Sequence, residues 1–168
     1  KAQRFHEAEL EAQALLKRNP NDAQTRRLLG HIYLRTLGNP GEATGQSETV
    51  NRAVEQFKEV VRLDPNDVSA RLAVTVLPFD KDNPGAALSG LMRILQSSPA
   101  DDAEVRLHVG LVLFWMQDEQ DAAAQFRQVL NDDQHGLYGQ VAGVFARCID
   151  NPTACTGGKT GSDPNSSR

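Results

Sequence analysis

The sequence predicts an all-α protein made of helix pairs laid side by side, about eight helices in all. Three observations carry this. Within residues 50–65, apolar side chains fall at Val50, Ala53, Val54, Phe57, Val60 and Val61. Spacings of three and four place them on one stripe of an amphipathic helix. The same order then recurs. Ala53-x-x-x-Phe57-x-x-Val60 is echoed by Ala8-x-x-x-Ala12-x-x-Leu15, Ala87-x-x-x-Leu91-x-x-Ile94 and Ala122-x-x-x-Phe126-x-x-Val129. Finally, each copy runs into a turn signal: Asn19-Pro20-Asn21-Asp22, Asp64-Pro65-Asn66-Asp67, Ser98-Pro99-Ala100-Asp101 and Asp132-Asp133-Gln134. Proline disfavours helical geometry in the residue before it and donates no hydrogen bond.

Each element follows from these signals. Residues 1–18 form a helix with Phe5, Ala8, Ala12, Leu15 and Leu16 on one face. Asp22 is placed to cap the next helix, 23–37, whose Leu28, Leu29, Ile32 and Tyr33 face inward. Gly30 lowers helix propensity by about 1 kcal/mol relative to alanine, which makes sense where two helices cross. Asn39-Pro40-Gly41 breaks that helix, and Gly45 with Ser47 keeps the segment irregular. The third helix, 47–63, takes Ser47 as its cap and Glu48 in its first turn. A short fourth, 68–77, stops at Pro78. The fifth, 84–97, starts on Pro84, which suits a first helical position. Asp101 or Asp102 caps the sixth, 102–116, and Gln117-Asp118 turns the chain into the seventh, 119–131. The last helix, 136–149, has Leu137, Val141, Val144, Phe145 and Cys148 on its apolar side. It reads as the cap that covers the open end of the stack. Residues 150–168 are rich in Gly, Ser, Thr, Pro and Asn and read as a flexible polar tail.

The totals bound the function. The chain has 168 residues, 39% of them hydrophobic and 24% charged, with a net charge of -4. That balance leaves no basic footprint for nucleic acid. No apolar run reaches the length of a membrane span, so no direct membrane insertion is expected. The numbering begins at Lys1, which leaves open a leader or anchor upstream.

Two further pairings complete the pattern: Leu29-Gly30-x-x-Tyr33 and Val109-Gly110-x-x-Leu113. With the four triplets and the prolines after three of them (Gln134 replaces the proline after the fourth), the chain resembles the tetratricopeptide repeat (TPR) family, whose unit is about 34 residues. The resemblance covers about residues 5–136. It implies a right-handed superhelix of antiparallel helix pairs, an α-solenoid, acting as a protein–protein interaction scaffold with no catalytic residues and no cofactor. The chain departs from the family in places. Asp22 to Asp67 spans 45 residues, so roughly 11 are inserted relative to the family unit. Thr75 stands where the family has glycine, and Pro78 where it has an aromatic.

The resemblance also implies a concave binding groove lined by the first helix of each unit. Carried over, it comprises Gln24, Arg27, His31, Leu34 and Arg35, then Ser69, Leu72, Val76, Phe79 and Asp80, then Glu104, Leu107, Leu111, Phe114 and Trp115. The groove residues singled out are Arg27, His31, Arg35, Leu72, Val76, Leu107, Leu111, Phe114 and Trp115. Arg27, His31 and Arg35 make one end basic, and the other end is apolar and aromatic. An acidic peptide with hydrophobic anchors would match. Alternatively Phe79, Phe114 and Trp115 pack against the insert, a neighbouring helix or a second copy. A family subset that clamps terminal carboxylates is excluded, since Ala73 and Glu104 fall at its clamp positions. Two further roles stay open: a self-associating module of a membrane-anchored or larger assembly, and an accessory domain of a longer enzyme.

The remaining motifs carry little chemistry. His6, His31, His108 and His135 are scattered with no metal-ligand spacing. Cys148 and Cys155 lie seven apart and are a candidate disulfide, which would favour an extracytoplasmic location. Gly157-Gly158-Lys159-Thr160 lacks the upstream glycine and strand of a phosphate loop. The Asp pairs at the turns read as helix caps and solvated loops.

Overall fold

The computed structural model describes residues 2–37, 45–98 and 102–152. Among them are eight helices and no strand: α1 (Ala2–Arg18), α2 (Ala23–Thr36), α3 (Gly45–Leu63), α4 (Val68–Val76), α5 (Pro84–Ser97), α6 (Asp102–Trp115), α7 (Glu119–Asp132) and α8 (Leu137–Asp150). Each packs on the next in order, and α6 also touches α8. This is an all-α solenoid of paired helices.

The turn aspartates cap the helices. Asp22 accepts hydrogen bonds from the Gln24 and Thr25 amides, Asp67 from Ala70 and Asp118 from Asp121. Asp133 reaches forward to the Tyr138 and Gly139 amides at the start of α8. Each of these satisfies amides that a helix start otherwise leaves unpaired. Two expected caps fall differently. Because α3 starts at Gly45, both Gly45 and Ser47 lie inside the helix, and Ser47 is not its cap. Asp102 likewise lies inside α6, and Asp101 is outside the described residues. Residues 38–44 of the expected 38–47 insert and the tail beyond Pro152 also lie outside them.

The repeated triplets form the core. In α3, α5 and α7, all nine of Ala53, Phe57, Val60, Ala87, Leu91, Ile94, Ala122, Phe126 and Val129 are buried, none more than 6% exposed. One core cluster gathers around Phe57, with Ala12, Leu29, Tyr33 and Ala70. A larger one surrounds Leu91 and Phe126, running from Leu72 on α4 to Ala146 on α8.

Glycine makes two of the helix crossings possible. A Cβ on Gly30 would lie 2.8 Å from the Phe57 ring, and one on Gly110 2.5 Å from the Phe126 ring. The α4–α5 pair solves the same problem the other way round. Thr75 stands on α4 where Gly30 and Gly110 stand on theirs, and the small residue is on the partner helix instead. A Cβ on Gly90 of α5 would lie 2.6 Å from the Thr75 methyl.

A candidate docking cleft between α4, α6 and α8

The end of α4, the last two turns of α6 and the middle of α8 leave an apolar cleft of about 420 Å³. Val76 and Phe79 form one wall. His108, Leu111, Val112, Phe114 and Trp115 form the floor and second wall, and Phe145 closes the far side. Pro78 prevents α4 from continuing, which places Phe79 in the turn that follows it rather than on the helix face. There the Phe79 ring meets the Trp115 indole edge-on, centroids 5.9 Å apart. Phe114 meets Phe145 edge-on at 5.6 Å, and Phe145 stacks on Phe126 of the core at 5.5 Å. Offset and edge geometries of this kind are the favoured ones for aromatic pairs. The cleft is thus anchored to the most buried ring of the C-terminal half.

Its one ionisable lining group is held in place. His108 Nδ1 lies 2.8 Å from the Glu104 carbonyl oxygen. A carbonyl only accepts, so Nδ1 carries the proton and donates it, leaving Nε2 as the acceptor in the neutral ring. The Tyr138 hydroxyl of α8 donates to the Glu104 carboxylate. Burial, and then that carboxylate, push the Tyr138 phenol above its usual range. Phe79 also borders a second hollow of about 280 Å³ beside Thr75, Asp80, Asn83, Gly90 and Arg93.

The groove residues singled out in the sequence divide into three groups. Val76, Leu111, Phe114 and Trp115 come together in the cleft. Leu72 and Leu107 do not: they are 4% and 5% exposed and belong to the core. They sit where α4 and α6 press on their neighbours, so their bulk holds helices together rather than offering surface. Arg27, His31 and Arg35 line α2. The Arg27 guanidinium pairs with Asp67, the cap of α4. The exposed His31 ring packs edge-on against Phe57 at 5.3 Å, and Arg35 is exposed. Val112 and Phe145 line the cleft without having been singled out for it. Phe145 was legible only as part of the last helix's apolar side. Cys148 lies on α8, and its candidate partner Cys155 is outside the described residues.

Among the described residues, no group of three or more His, Cys, Asp and Glu is placed to hold a metal ion. No described helix is long and apolar enough to cross a membrane.

No protein-family model and no curated protein matches the sequence. Solved structures do match. TTC0263, described as a thermophilic TPR protein of Thermus thermophilus, superposes with a TM-score of 0.69. It is 16% identical, over 86% of this chain and 74% of its own. One structure of MamA gives 0.59 at 21% identity, covering 89% of each chain. Another gives 0.62 at 22%, over 91% of this chain and 79% of that one. Likeness at these identities speaks to backbone arrangement. Together with the glycine crossings and buried triplets, it shows that this chain has the tetratricopeptide-repeat fold.

Proposed function

We propose that the chain is a helical-repeat protein-interaction scaffold that seats an apolar side chain of a partner peptide or protein in the α4–α6–α8 cleft. The observation that carries this is Trp115. It lines the cleft yet is 57% exposed, beside a half-open ring of Phe79. A large aromatic pair left open at the mouth of an apolar cleft is the kind of feature that marks an interaction site. An aliphatic or aromatic anchor entering it would lose water from both partners.

The electrostatic part of the reading is narrower. Of the three basic groove candidates on α2, Arg27 already pairs with Asp67 and His31 packs on Phe57. Arg35 is the remaining cation with which an acidic flank of the partner would pair, and an exposed pair of that kind is weak and sensitive to salt. The apolar anchor supplies most of the affinity.

The test is capture of partners by immobilised chain, wild type against Trp115→Ala and Phe79→Ala. Both variants change exposed side chains and leave the core intact. Loss of captured partners in both is expected, since truncating an anchor residue at such a site costs about 2 kcal/mol or more. Equal recovery by all three proteins would overturn the proposal.

A further inference from the structure

The walls of the cleft are carbon with one exception that can discriminate. Among the described residues that line it, only His108 and Trp115 carry a side-chain nitrogen or oxygen. The Trp115 indole N–H only donates, so His108 supplies the side-chain acceptor. Its Nδ1–H is spent on the Glu104 carbonyl one turn back on α6, at 2.8 Å. Glu104 is in turn tied to α8, where the Tyr138 hydroxyl donates to its carboxylate. Nε2, on the far side of the imidazole from Nδ1, has no hydrogen-bond partner among the described residues. A guest that fills the cleft without bringing a donor would strip water from Nε2 and leave it unpaired, which weakens binding.

The walls say what the rest of the guest should be. Four rings stand around the cleft, Phe79, Phe114, Trp115 and Phe145, and they offer an aromatic guest edge and offset contacts. The guest is therefore a ring with a donor, which tyrosine and tryptophan both provide. A phenol oxygen also brings lone pairs that would face carbon, whereas an indole N–H donates and has nothing left over. The rest of the sequence holds no such guest. Residue 1 and residues 38–44, 99–101 and 153–168 include no aromatic residue and no Leu, Ile, Val or Met. The sole tryptophan already belongs to the wall.

We propose that the cleft selects a tryptophan side chain of a partner protein, whose indole N–H donates to His108 Nε2 while its ring packs among Phe79, Phe114 and Phe145. This selection rests on the cleft being the docking site and adds what that site tells apart. Shape and apolar area hold the ring, and His108 rejects rings of the same shape that lack the donor. Discrimination of this kind comes from the penalty on an unpaired acceptor more than from the hydrogen bond itself.

The test uses the N-acetyl amides of tryptophan, tyrosine and benzothienylalanine, the last an isostere of tryptophan with sulfur in place of the indole N–H. Each is titrated into isotope-labelled chain at a pH of about 8, where an ordinary imidazole is neutral, while NMR follows the Trp115 indole and the His108 ring. All three should perturb Trp115. The tryptophan amide should bind about tenfold more tightly than its sulfur isostere, and more tightly than the tyrosine amide. Two variants separate the acceptor from the fold. His108→Asn keeps a donor in place of Nδ1 and has nothing in place of Nε2, so it should bind tryptophan and the isostere alike. His108→Gln carries a carbonyl oxygen about as far out as Nε2 and should retain part of the preference. Probes that leave Trp115 unperturbed would overturn the docking site and the selection together. Equal binding of tryptophan and its isostere by the wild type, or tighter binding of tyrosine, would overturn the selection and leave the docking site standing. A preference that survives undiminished in His108→Asn would overturn it too, by assigning the choice to ring packing. The wild-type comparison decides the matter even if neither variant folds.

Discussion

Gln117 is the one described non-glycine residue with positive φ, at 63°. The Asp118 amide reaches back to the Leu113 carbonyl and the Gln117 amide to Phe114, which is the hydrogen-bond pattern of a Schellman end. A side chain there strains against its own backbone, and glycine does not. Gln117→Gly should therefore raise stability by about 1 kcal/mol, read as a higher urea midpoint at unchanged slope. At glycines inside helices the sign is set by the space around them. Alanine is the better helix former by about 1 kcal/mol, and Gly85, with nothing within 4 Å of its would-be Cβ, should show a gain of up to that size as Gly85→Ala. At Gly110 the same methyl would meet the Phe126 ring at 2.5 Å. Overpacking costs about 1–3 kcal/mol and wins. Gly110→Ala should destabilise, and adding Phe126→Leu should cost less than the two losses summed. Strict additivity of the pair would show that the ring does not set the glycine requirement.

At the scale of whole helices, the caps decide where elements begin. Asp67 does two things: it caps α4 through Ala70 and pairs with Arg27 on α2, 40 residues earlier. Asparagine caps as well as aspartate but carries no charge. Asp67→Asn should thus cost less than about 1 kcal/mol, the range of a partly exposed ion pair. Asp67→Ala should cost about 1 kcal/mol more, as the cap goes too. Equal losses in both would assign the whole effect to the ion pair. Asp22 adds a pH dependence. Its hydrogen bonds from the Thr25 side chain, then from backbone amides, hold its carboxyl below the usual value. A lowered folded-state pKa means stability that is present above the unfolded value of about 3.9 and is lost as pH falls through the folded one. Melting curves from neutral to acid pH should show a smaller drop for Asp22→Asn than for the wild type. This level was the most legible in the sequence, because triplets such as Ala53, Phe57 and Val60 depend on neighbours three and four residues away. The Arg27–Asp67 pair was not legible, since it joins positions 40 apart. Nor was the Thr75–Gly90 exchange, in which a missing glycine on one helix is supplied by the other. Leu72 and Leu107 looked like surface for a related reason. Their unit positions are open only where the adjacent helices stand away, and here they do not.

For the molecule as a whole, what matters is which apolar surface stays open once eight helices have stacked. The cleft had a partial sequence signal in Val76, Leu111, Phe114 and Trp115. Its depth had none, because Phe145 arrives from α8 and Phe79 from a turn that Pro78 forces out of helix. Trp115 is the sole tryptophan of the chain, so it reports on the cleft without any label. In the free protein an indole 57% exposed should emit at long wavelength and be quenched readily by iodide. An apolar anchor seated beside it should remove water from the indole, shift emission to the blue and protect it from quenching. A shift that follows chain concentration with no partner present would mean that two copies of the chain meet at the cleft. A shift that follows partner concentration alone, and that disappears in Phe79→Ala as the edge-on pair is lost, would identify the cleft as the docking site.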